Sequence, residues 1–130
     1  MDAQKYLDLI RDADVYDVAI ESPLELAKNL SAKIQNTVLL KREDLQPVFS
    51  FKLRGAYNKM SRLSPEAAKR GVIAASAGNH AQGVALAGTA LGIKTTIVMP
   101  ETTPAIKIDG VRSRGGKVIL HGDTYNEAAE

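Results

Sequence analysis

The sequence predicts an α/β fold, an open parallel sheet with flanking helices. Three observations carry this. Short β-branched or apolar runs at Val72–Ala75, Ile93–Met99 and Val118–Leu120 alternate with segments of helical periodicity. The segments between them are long enough for the crossovers that parallel neighbours require. Gly or Pro punctuates the junctions at Gly71, Gly92, Pro100, Pro104 and Gly115-Gly116.

Each element has its own signal. Ala3, Tyr6, Leu7 and Ile10 recur at helical spacing and predict an amphipathic opening helix. Ser22-Pro23 predicts a second short helix through Leu24 and Leu30, with Ser22 as cap and Pro23 in the first turn. Thr37–Leu40 is β-branched and apolar and predicts a strand. The polar stretch Lys41-Arg42-Glu43-Asp44 reads as its solvated end, and Pro47 breaks any regular element there. Phe51 to Leu63 reads as a helix with Leu53, Tyr57 and Met60 on one side. Ser64-Pro65-Glu66 opens a short helix that Gly71 ends. Val72–Ala75 reads as a buried strand, Ser76-Ala77-Gly78 as a small-residue loop, and Asn79–Leu91 as a helix stopped by Gly92. Ile93–Met99 is the clearest strand. Pro104 opens a helix that Gly115-Gly116 ends, and Val118–Leu120 is a further strand. Thr124-Tyr125-Asn126-Glu127 has capping-box spacing, so a helix begins there. About two turns remain before Glu130, too few to hold themselves, and the expectation is the front part of a longer protein.

Composition narrows the function classes. With 130 residues, 45% hydrophobic and 25% charged, the chain has the makeup of one globular domain and not of a disordered segment. A net charge of +2 from scattered residues predicts neither nucleic acid nor an anionic membrane as partner. There is no Cys, which excludes disulfides, thiolate metal sites and cysteine nucleophiles. Two distant histidines, His80 and His121, predict no metal site. No apolar run approaches the roughly 20 residues of a membrane span. The opening Met1-Asp2-Ala3-Gln4-Lys5 has neither the apolar segment of a secretory signal nor the acid-free composition of a transit peptide, so the expected location is cytoplasmic.

Two segments could carry chemistry. Lys52, in Ser50-Phe51-Lys52-Leu53-Arg54-Gly55-Ala56, lies near a helix start, where the positive helix end disfavours an ammonium. Partial burial would favour the neutral amine further, and a neutral amine is what Schiff-base chemistry needs. Taken from the residues alone, a solvated surface lysine is the first reading and the Schiff-base amine the second. The Ser76-Ala77-Gly78-Asn79-His80 loop follows a strand and enters a helix, in the place where α/β sheets bind ligands. Its unsatisfied amides favour an anion, and small residues let the anion approach. It matches neither the dinucleotide fingerprint nor the phosphate loop that ends in Gly-Lys-Ser/Thr. A tight turn without a ligand and an anion site both remain open. His80 reads as a solvated or capping residue, and Arg112 and Arg114 as facing water.

Read together, the two segments resemble a known family. Lys41-Arg42-Glu43-Asp44-Leu45-Gln46-Pro47-Val48-Phe49-Ser50-Phe51-Lys52-Leu53-Arg54-Gly55-Ala56-Tyr57 resembles the cofactor-lysine segment of threonine dehydratases (threonine ammonia-lyases). Ser76-Ala77-Gly78-Asn79-His80-Ala81-Gln82-Gly83-Val84-Ala85 resembles their substrate loop, and Val98-Met99-Pro100 and Leu120-His121-Gly122 fit as well. The Gln46-Pro47-Val48 wording resembles the biosynthetic form, which feeds isoleucine synthesis. Ser22-Pro23-Leu24 departs mildly from the family's Thr-Pro-Leu.

The resemblance implies a fold type II pyridoxal-phosphate enzyme. Residues 1–45 would be a leading piece of its larger domain, and 46–130 its smaller α/β domain, truncated at the C-terminal end. Lys52 would bind pyridoxal 5′-phosphate as a Schiff base and then abstract the substrate's α-proton. Phe51 would pack beside the cofactor ring, and Asn79 would hydrogen-bond the cofactor's 3′-oxygen. Ser76, Ala77, Gly78, Asn79 and His80 would hold the carboxylate of threonine, or of serine. Loss of the β-hydroxyl and hydrolysis would give 2-oxobutanoate and ammonia. The family's glycine-rich phosphate loop, the partner of the pyridine nitrogen and the regulatory domain lie beyond residue 130. The isolated chain is therefore expected to bind cofactor weakly and turn over nothing, and the complete protein to be a homo-oligomer. Serine dehydratase, serine racemase and threonine synthase share both segments and are the alternatives. A truncated, non-catalytic chain that binds a partner is another.

Overall fold

In the computed structural model, which describes residues 2–130, the three apolar runs pair into one parallel sheet. Met1, the first residue of the opening segment read above, lies outside the described residues. The elements in order are α1 (Ala3–Arg11), β1 (Leu24–Leu26), α2 (Lys28–Ile34), β2 (Leu39–Lys41), α3 (Lys52–Met60), α4 (Pro65–Arg70), β3 (Val72–Ala75), α5 (Asn79–Leu91), β4 (Thr95–Met99), α6 (Ala105–Arg112), β5 (Lys117–Leu120) and α7 (Tyr125–Ala129). Turns of 3₁₀ helix add Val15–Asp17 and Glu43–Leu45.

The sheet order is β3-β4-β5, with Val72 opposite Thr95 and Thr96 opposite Lys117. Along β4, Thr95, Ile97 and Met99 are buried while Thr96 and Val98 are partly exposed, the alternation that pleating imposes. Ile97 and Met99 share one core with Ala81, Val84, Ala85 and Ala87 of α5, Ile108 and Val111 of α6, and Ala56, Tyr57 and Met60 of α3. The opposite face is only partly covered, by the five-residue α7, whose Ala128 is buried against the sheet side. This corrects the reading of β3 as a buried strand. Ile73 points to that less covered face and is 71% exposed.

Sequence capping signals hold where the partner is local. Ser64 accepts from Ala67 N–H at the start of α4, and Thr124 and Glu127 form the expected capping box on α7. Gly92 ends α5 in the left-handed conformation, at φ 66°. The Ser22-Pro23 reading fails. Leu24–Leu26 is a strand, antiparallel to Leu39–Lys41, and the helix begins only at Lys28. Ser22 cannot cap there because its hydroxyl donates to Glu43, 21 residues away, at 2.6 Å. The β1–β2 pair stands apart from the parallel sheet, so the strand near Thr37–Leu40 does not extend it.

Candidate active site

The segment leading into α3 is held by alternate burial. Gln46, Val48 and Ser50 are buried, while Pro47, Phe49 and Phe51 face outward. Val48 packs with Ala19 and Leu53 in a second small core. The Gln46 amide brackets Ile20, donating to its carbonyl at 2.8 Å and accepting from its N–H at 2.9 Å. Phe49 N–H donates to Gln46 O at 2.7 Å, and this turn puts Phe49 in the left-handed region at φ 56°. For a residue with a side chain that conformation costs about 1–2 kcal/mol. Arg114 fastens the same turn from across the fold, donating to Pro47 O at 2.8 Å, with its guanidinium 6.0 Å from the Phe49 ring centroid. Arg114 thus does not face water as its sequence context suggests. Arg112 is exposed, as expected.

Lys52 is the first residue of α3, and its ammonium nitrogen lies 4.7 Å from the centroid of the exposed Phe51 ring. The partial burial considered above for Lys52 is not found. The side chain is exposed. The backbone beneath it is packed tightly. A Cβ placed on Gly83 would stand 3.1 Å from both the Lys52 carbonyl carbon and the Leu53 nitrogen. The glycine therefore lets α5 seat directly on the turn that carries the lysine.

Gly83 is one helical turn, about 6 Å along the axis, from Asn79 at the start of α5. At that start, β3 delivers the chain into the Ser76-Ala77-Gly78 loop. Ser76 N–H donates to Val98 O at 3.0 Å, and Gly78 N–H makes a long 3.4 Å contact to Ser76 Oγ. Among the described residues, the amides of Ala77, Asn79 and His80 have no acceptor, and the first turn of α5 contains no acidic side chain. Asn79 and His80 are exposed. The fold thus packs the Lys52 turn against Gly83, one turn along the helix that the 76–80 loop enters. No group of His, Cys, Asp or Glu suited to a metal ion occurs among the described residues.

The residues that sequence reasoning missed lie behind Lys52. The Lys41–Asp44 stretch is not merely a solvated strand end. Arg42 pairs with Glu25 at 2.6 Å and Asp44 at 2.7 Å. Glu43 receives Arg54 Nε at 2.8 Å and Nη2 at 2.9 Å, the Ser22 hydroxyl at 2.6 Å and the Gln46 amide at 3.3 Å. The Arg54 hydrogen bonds, followed by those from Ser22 and Gln46, outweigh desolvation and hold the Glu43 carboxyl down at about 2. Its only sequence signal was opposite charge on Glu43 and Arg54, and nothing local pairs positions 11 residues apart.

The pH consequence follows from linkage. The folded value for Glu43 lies below the ordinary 4.5, so its contribution is fully present above pH 4.5 and is lost as pH falls toward 2. After discounting for solvent screening the contribution is about 1–3 kcal/mol. Acid unfolding of wild type and Glu43→Gln should therefore converge only near and below pH 2 and be fully separated above pH 5. Parallel curves across that window would contradict the assignment.

Chemically, the surface offers a primary amine beside a flat exposed aromatic ring, and unshared amides at a helix end close by. This suits a flat electrophilic cofactor that an amine can join covalently, together with an anionic substrate. The comparisons agree. Residues 15–130 match the sequence model of the family described as pyridoxal-phosphate dependent enzyme. A biosynthetic L-threonine dehydratase of Burkholderia multivorans is 57% identical over 98% of this chain, and a chloroplastic biosynthetic threonine dehydratase of Solanum lycopersicum is 63% identical over 95%. This chain spans 26% and 21% of their lengths. The solved processed form of threonine deaminase isoform 2 from Solanum lycopersicum superposes with a TM-score of 0.93 at 60% identity, covering 98% of this chain and 36% of that one. Maize serine racemase superposes at 0.88 with 32% identity, over 94% of this chain and 38% of that one.

Proposed function

The chain belongs to the pyridoxal-phosphate dependent enzyme family, and from that premise we propose that it forms one wall of the active site of a threonine ammonia-lyase of biosynthetic type. In the complete protein that enzyme converts L-threonine to 2-oxobutanoate and ammonia, a step toward isoleucine. The observation that carries the proposal is the Gly83 contact, which sets the Lys52 turn on the helix whose N-terminal amides are open.

Pyridoxal phosphate, when bound, supplies the electron sink for cleavage at the α-carbon. Lys52 would hold it covalently, and its amine, once released, would take the α-proton. Phe51 would lie against the ring, and Asn79 would donate to the ring oxygen. The amides of the Ser76–His80 loop would fix the carboxylate, so that the α-C–H bond is oriented toward the amine. His80 donates only its backbone in this scheme. Residues 1–45 would join a larger domain, with 46–130 as the smaller one. The chain by itself binds cofactor weakly, since its lysine stands on an open surface. We place the complete protein in the cytoplasm as a homo-oligomer. Among the described residues no helix is long and apolar enough to cross a membrane.

Serine racemase is the second reading, supported by the maize structure. The lower identity there, 32% against 57–63% for the dehydratases, favours threonine. A chimera tests this. When the present chain replaces the matching segment of the Burkholderia multivorans relative, the product should form 2-oxobutanoate from L-threonine faster than pyruvate from L-serine. A folded, cofactor-loaded chimera that only racemises serine, or that yields no keto acid, would overturn the proposal.

A further inference from the structure

The turn that carries Lys52 lacks an ordinary helix cap. The residue at the cap position is Phe51, whose side chain makes no capping bond, and no acidic residue stands in the first turn. Lys52 N–H reaches only Ser50 Oγ, at a long 3.4 Å. A helix start so poorly satisfied frays. This one is tied down by a side chain instead. Arg54 projects from the first turn, takes both oxygens of Glu43, and also donates to Ile20 O at 3.2 Å. Glu43 is itself aimed by Ser22 and Gln46, which are only 3% and 1% exposed and are fully engaged. Lys41 adds a bond from its ammonium to Ser22 O. Five side chains, from three separated stretches of sequence, thus form one network that joins the turn presenting the lysine through Arg54.

We propose that Glu43 is a positioning residue for Lys52, acting through Arg54 as a side-chain tether on the first turn of α3 that fixes where the lysine amine stands. Glu43 touches neither cofactor nor substrate in this assignment, which rests on the cofactor-lysine role proposed above. Its charge matters as well as its shape. A neutral amide could keep one bond to Arg54, but it cannot accept the two-pronged pair or hold Ser22 and Gln46 as donors at once.

The test uses the 130-residue chain with pyridoxal 5′-phosphate and borohydride, reading the adducts at Lys52 and Lys59 by mass spectrometry. Lys59 is exposed on the same helix, so general loosening moves both lysines and the ratio isolates position. In wild type, Lys52 is labelled in preference to Lys59. In Glu43→Gln the ratio falls about tenfold, the scale of a lost charge-assisted bond, while Glu43→Asp retains part of it. An unchanged ratio in folded Glu43→Gln overturns the proposal. If Glu43→Gln does not fold, Ser22→Ala takes its place, with a smaller fall expected and an unchanged ratio again decisive. Equal labelling of both lysines in wild type would instead refute the cofactor-lysine role. The clamp is then read by hydrogen exchange. The amides of residues 54–56 should lose protection in Glu43→Gln before those of 57–60, and equal protection in both proteins overturns it.

Discussion

Lys52→Ala should abolish the visible absorbance band that the chain develops with pyridoxal phosphate, and should lower keto-acid formation by the chimera on the order of 10³-fold or more. The expectation rests on place and not on residue type alone. Lys52 is one lysine of ten in the sequence, yet it stands at a helix start beside an exposed aromatic ring, on a turn seated against α5. The substitution should leave the fold intact, because the Lys52 side chain is exposed and makes no hydrogen bond among the described residues. Alanine is also a good helix former. A thermal midpoint close to that of wild type, together with loss of the band, is the paired result to look for. Survival of the band in Lys52→Ala would move the covalent role to another lysine.

Gly88→Ala should be the most damaging small change to the fold. A Cβ there would lie 2.3 Å from Thr95 Cγ2 and 2.7 Å from the Ile93 carbonyl oxygen. Neither neighbour can yield easily. Thr95 is β-branched, 5% exposed and the first inward residue of the central strand. Ile93 is fixed by its own N–H, which donates to Gly88 O at 2.8 Å where the chain turns back from α5 into β4. Alanine gains about 1 kcal/mol in helix propensity, and the clash outweighs it, for a net loss of about 2–4 kcal/mol. The thermal midpoint should fall by about 10 °C or more. Thr95→Ser removes the nearer atom, so the double variant should recover part of the loss. A midpoint within two or three degrees of wild type in Gly88→Ala would show that α5 and β4 are not packed this closely.

The parts of this molecule legible in its sequence are those whose causes are local. The α5 helix runs from Asn79 to Leu91 as read, because a small-residue loop and Gly92 bound it. The helix opens at Ser64-Pro65-Glu66 and Thr124 caps as read, because the bonds that start these helices span three residues. Ser22 carried the same local signal and misled, since its hydroxyl is taken by Glu43 from the far side of a hairpin. Arg114 likewise meets Pro47 across 67 positions, a pairing that no spacing rule encodes. Lys52 and the 76–80 loop stood out as candidates, and the resemblance joined them. Their physical link, the bare backbone contact at Gly83, became visible only once the helices were packed. The exposure of Lys52 agrees with the solvated-lysine reading of the residues, whereas the partial burial weighed beside it depended on what lies opposite the side chain, which its neighbours in sequence do not encode.

The most direct test of whether the lysine turn and the helix end form one site is a backbone amide NMR titration of the chain with pyridoxal 5′-phosphate. The amides of Phe51 and Lys52 and those of Ala77, Asn79 and His80 should shift together, with one shared midpoint. Shifts confined to lysine-bearing surface segments, with residues 77–80 unmoved at saturation, would contradict it.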